Sequence, residues 1–82
     1  MNSLIPDHPL KAEDRRAALS YVHEAFAEAI MAGIDTDSFA DAAIAAGLQE
    51  LVACYGEEAV ARFAADLADR VKRGEFTIGA KH

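Results

Sequence analysis

"LQELVACYGEEAV", Leu48 to Val60, decides how many helices this chain contains. Leu48, Leu51 and Tyr55 extend an apolar stripe that begins at Ile44, in steps of three and four residues. That spacing is helical. Gly56 interrupts it, because glycine readily takes the left-handed backbone that closes a helix. Glu57 and Glu58 follow, and negative charge is favoured in the first turn of a new helix. From there Val60, Phe63, Ala64, Leu67 and Val71 share one face, an amphipathic pattern. The opposite face sets Glu58–Arg62, Arg62–Asp66, Asp66–Arg70 and Asp69–Arg73 at i,i+4 spacing, each pair worth about 0.2–0.5 kcal/mol. Arg70, Lys72 and Arg73 suit the C-terminal end. Gly74 ends the helix, and Phe76 is placed to fold back on it.

The same punctuation occurs upstream in "GIDTDS", Gly33 to Ser38. Gly33 can close a first helix, with Ile34 folding back on its last turn. Asp35 is a good N-cap for a second helix, and Asp37 stands in its first turn. Leu19, Val22, Phe26, Ala29, Ile30 and Gly33 form one stripe of the first helix. Prolines occur only at Pro6 and Pro9, so nothing after them forbids helix. The expected fold is all-α. Three helices at about 10–32, 36–55 and 57–73 would form an up-down-up bundle, because short turns make antiparallel neighbours. Residues 1–9 read as an extended arm, 10–76 as a single helical domain and 77–82 as a tail.

Helix two is unusual. Between Phe39 and Tyr55 only Asp41, Gln49 and Glu50 are strongly polar. A helix apolar nearly all round is expected to be buried on more than one side. Ala42, Ala43, Ala45, Ala46 and Gly47 would let another backbone approach closely. Gly47 costs about 1 kcal/mol against alanine in a helix interior, and close packing would compensate. The expected interface therefore comprises helix two and parts of helix one or three. Phe39, Ile44, Leu48, Leu51, Val52 and Tyr55 supply its area, and Ala43 and Gly47 set the approach distance. The expected partner is a second copy of the chain, or another protein.

Composition bounds the function. The chain has 82 residues, is 52% hydrophobic and carries a net charge of −6. A chain this short buries only about 60% of its unfolded surface, so its core is modest. An acidic surface repels phosphate backbones and anionic lipid, so neither nucleic acid nor membrane is an expected partner. The start "MNSLIPDHPLKAEDRR" has no signal-peptide pattern, and the longest apolar run, Ala42 to Leu48, is too short to span a bilayer. A single cysteine fits a reducing compartment, and a cytoplasmic location is expected.

Signals for chemistry are sparse. Cys54 lies near a helix C-terminus among Glu50, Glu57 and Glu58, without the helix N-terminus or nearby cation that a reactive thiol needs, and it reads as a small packing residue. His8, His23 and His82 lack companions at metal-ligand spacing, and Glu24 and Glu28 lack the His of a di-iron motif, so no metal or cofactor is expected. No nucleophilic triad is legible around Ser3, Ser20 or Ser38, and no glycine-rich phosphate loop occurs. The expectation is a non-enzymatic interaction or assembly module.

Two resemblances mark the alternatives. "TDSFADA", with Asp37-Ser38-Phe39 opening helix two, resembles acyl carrier proteins, which are small, acidic and helical and carry Asp-Ser-Leu at that place. The resemblance implies a phosphopantetheine attached to Ser38, with Phe39 standing where that family has leucine. "FADAAIAAGLQELVACYG" resembles the helix-turn-helix of DNA-binding regulators, and implies a recognition helix starting near Gln49. Such a helix would present no Arg or Lys to phosphates or guanine edges.

Overall fold

The structure, a computed structural model, describes residues 9–78. Within them the chain is all-α, with α1 at Pro9–Met31, α2 at Thr36–Tyr55 and α3 at Glu57–Lys72. The sequence boundaries hold to within a residue at each end. Pro9 is the first helical residue, where its missing N–H would have had no partner. The expected arm before it, with His8, lies outside the described residues, as do the last residues of the tail, with His82.

Two of the helix ends are closed by the same backbone device. At Gly33, with φ at 89°, the Gly33 N–H donates to the Ile30 carbonyl at 3.0 Å. The Ile34 N–H donates to the Ala29 carbonyl at 2.9 Å. These crossed bonds satisfy carbonyls that the helix leaves open, and they require a left-handed residue at the glycine. Gly74, with φ at 82°, repeats the pattern through Gly74 to Val71 and Glu75 to Arg70. Asp35 caps α2 as expected, its Oδ2 accepting from the Ser38 N–H at 3.2 Å.

The side chains at the α3 terminus arrange themselves differently from the expected i,i+4 ladder. None of the four helix pairs is closed. Arg70 instead donates through Nε to the Glu75 carboxylate, beyond the end of the helix. Its guanidinium carbon lies 5.2 Å from the centroid of the Phe76 ring. Phe76 therefore does return to the helix, by a cation–π contact with Arg70.

The chain divides into two compact units, and the division falls inside α2, between Ala46 and Gly47. In the first unit Ala29 is buried, at 7% exposure, and Phe26, Phe39, Ala40 and Ala43 are half-buried. The Phe26 and Phe39 rings meet edge to face, with centroids 4.7 Å apart and planes at 77°. Such a pair adds about 0.5–1.5 kcal/mol beyond its buried area. Leu19, Val22 and Ile30, on the stripe expected to be covered, are exposed. In the second unit Val60 is buried, at 5% exposure, with Leu48, Leu51, Val52, Ala59, Phe63 and Leu67 half-buried.

The near-uniform apolarity of α2 predicted burial on more than one side, with the excess covered by a further contact; within the single chain no residue of α2 is buried. Covering a helix all round takes neighbours on several sides. Within each unit the α2 residues that lose solvent keep to one side: Phe39, Ala40 and Ala43 in the first, Leu48, Leu51 and Val52 in the second.

Candidate interaction surface

Helix α2 carries all eight residues expected to form an interface, and the structure sorts them into two groups. Phe39 and Ala43 are half-buried in the first unit, and Leu48, Leu51 and Val52 in the second. These five are already engaged in packing within the chain. Ile44, Gly47 and Tyr55 are not. Ile44 is 62% exposed and Tyr55 is 49% exposed. A Cβ built on Gly47 would meet nothing within 4 Å, so the cost of this glycine is not compensated by close packing inside the chain.

Apolar exposure extends beyond α2. Tyr21, Met31 and Val71 are all well exposed, together with Leu19, Val22 and Ile30. Apolar periodicity puts Val71 and the α1 stripe on helix faces but does not count how many of those positions a neighbouring helix reaches. A shallow depression lined by Ala17, Ser20, Tyr21 and Glu24 draws all its walls from α1 alone and encloses no cavity.

Cys54 is exposed, which corrects its reading as a packing residue. At 100° per residue it falls well round the helix from the stripe of Leu48, Leu51 and Val52. His23, Glu24 and Glu28 are exposed on α1, and no three metal-binding side chains gather among the described residues. Ser38 is exposed in the first turn of α2, with its backbone N–H held by Asp35. The connection that leads to it, 32–35, is only a tight turn. A recognition helix starting near Gln49 is not formed, because α2 runs unbroken through Gly47 and Gln49. The propensity cost of one glycine is too small to end a helix flanked by alanines and leucines. No described helix is long and apolar enough to cross a membrane.

The chain matches no known protein-family description, and no curated protein or solved structure is detectably similar to it.

Proposed function

We propose that this protein is a small acidic interaction module that acts by association rather than catalysis, and that its partner is a second copy of itself. The observation that carries this reading is the state of α2: the most apolar helix of the chain has no buried residue. Among the described residues only Ala29 and Val60 are buried, whereas eleven large hydrophobic side chains are exposed. Apolar surface left in water is a standing driving force for association, at about 25 cal/mol per Å² covered. Ile44 and Tyr55 provide bulk on α2, and Gly47 leaves room for a neighbouring backbone. An exposed, unpaired Cys54 suits a reducing compartment such as the cytoplasm.

The test is native mass spectrometry of the full chain at micromolar concentration, with the Ile44→Asp variant beside it. Ile44 is exposed, so a charge there leaves the packing within the chain intact. The wild type is expected to be a dimer, and Ile44→Asp is expected to weaken it at least ten-fold with unchanged helicity by circular dichroism. A wild type that stays monomeric at every concentration would overturn the reading. The exposed position of Ser38 at the start of α2 keeps the carrier alternative open to the same spectrum. A monomer bearing a mass adduct that maps to Ser38 would establish it instead.

A further inference from the structure

The joint between α2 and α3 is a single residue. α2 ends at Tyr55 and α3 begins at Glu57. Gly56 makes the reversal with φ at 87° and ψ at 166°, a region open essentially to glycine alone. No side chain caps α3 there, and a Cβ at residue 56 would find open space. The turn is therefore held by the freedom of glycine and not by packing or a capping bond around it.

The backbone across this joint is already half helical. The Gly56 N–H donates to the Val52 carbonyl at 2.8 Å, and the Val60 N–H donates to the Gly56 carbonyl at 3.3 Å. Both are bonds that a helix continuing through residue 56 would make. The amides of Glu57, Glu58 and Ala59 begin α3 without helical partners. Turning Gly56 into the right-handed region would aim them at the carbonyls of Ala53, Cys54 and Tyr55. α2 and α3 would then be one helix from Thr36 to Lys72, with no proline in it.

Opening the hairpin gives up the packing of the second unit, where Val60 is the sole buried residue among those described. A second copy restores it. If two fused helices lie antiparallel with the two-fold axis at Gly56, α3 of each copy meets the Leu48, Leu51 and Val52 stripe of the other. The contacts are those of the hairpin, made between chains. Exchange of an identical element is a low-cost route to a dimer, and short hinges favour it.

We propose that Gly56 is a hinge at which α2 and α3 fuse, and that the chain dimerises by exchanging α3 with a second copy. This rests on the self-association proposed above and specifies its form. Cys54, the sole cysteine, reports on it directly. It stands two residues from the axis on the outer side of the pair, which puts the two Cys54 Cα atoms about 13–15 Å apart in the exchanged dimer.

The experiment places a nitroxide on Cys54 of the full chain and compares wild type, Gly56→Ala and a variant with Gly-Ser-Gly inserted after Gly56. The wild-type dimer is expected to show one discrete inter-label distance, set by that Cα separation, in pulsed dipolar spectroscopy. Gly56→Ala should tighten dimerisation at least ten-fold, because alanine resists the hairpin backbone and favours helix. The insertion should weaken dimerisation at least ten-fold, since a longer joint reverses without glycine's special geometry and interrupts the fused helix. A wild-type dimer without that inter-label distance, or one unaffected by the insertion, would overturn the exchange and leave side-by-side self-association standing. A wild type that remains monomeric would overturn both. If Gly56→Ala fails to fold, the wild-type distance and the insertion variant still decide.

Discussion

Single residues set the ends of the helices here. Asp35 is the clearest case. Its carboxylate satisfies an amide of the α2 first turn that the helix itself cannot serve. Asp35→Ala should destabilise the chain by about 1 kcal/mol, whereas Asp35→Asn, an equally good cap, should cost little. Urea unfolding followed by circular dichroism measures both. Equal losses in the two variants would assign the effect to charge rather than to the cap. Gly33 and Asp35 were both legible in the sequence, because their roles depend only on backbone conformation and near neighbours. Arg70 was not. Its i,i+4 partner Asp66 and its actual partner Glu75 are both within reach in sequence, and only the closure of the helix at Gly74 brings Glu75 back to it.

At the scale of the element, α2 holds the tension in this protein. Its sequence demands more cover than it receives, and Gly47 weakens it with no neighbour to justify the weakness. Gly47→Ala makes the question quantitative. Alanine gains about 1 kcal/mol of helix propensity and meets no atom of the same chain. Helicity and urea resistance of the monomer should therefore rise. If another backbone packs at this point, the added methyl holds it off, and the dimer dissociation constant should rise as well. Sedimentation at several concentrations separates the two effects. A dimer that tightens along with helix stability would remove Gly47 from the interface. The periodicity of α2 told which residues are apolar and where the helix stops. It did not tell that Leu48, Leu51 and Val52 are already half-buried in the chain while Ile44 and Tyr55 remain exposed.

For the whole molecule the consequence is thermodynamic. Two units whose buried cores are one alanine and one valine offer little to offset the conformational entropy of ordering the described chain. In the association proposed above a second copy would supply the missing burial, and stability would then depend on protomer concentration. Thermal unfolding of the wild type should shift upward by on the order of 5–10 °C over a hundred-fold rise in concentration. Scanning calorimetry across that range checks it. A midpoint that does not move would show that the packing within one chain suffices.

The sequence by itself determined the helices, their ends and the all-α class, because apolar periodicity, capping carboxylates and left-handed glycines act within a few residues of one another. It also determined that α2 is the element richest in apolar surface. Only the tertiary structure decided how much of that surface the chain covers for itself. Burial depends on which faces of distant segments meet, and no local pattern encodes that. It left Cys54, Ile44 and Tyr55 exposed and drew Phe26 and Phe39 together across the turn at Gly33.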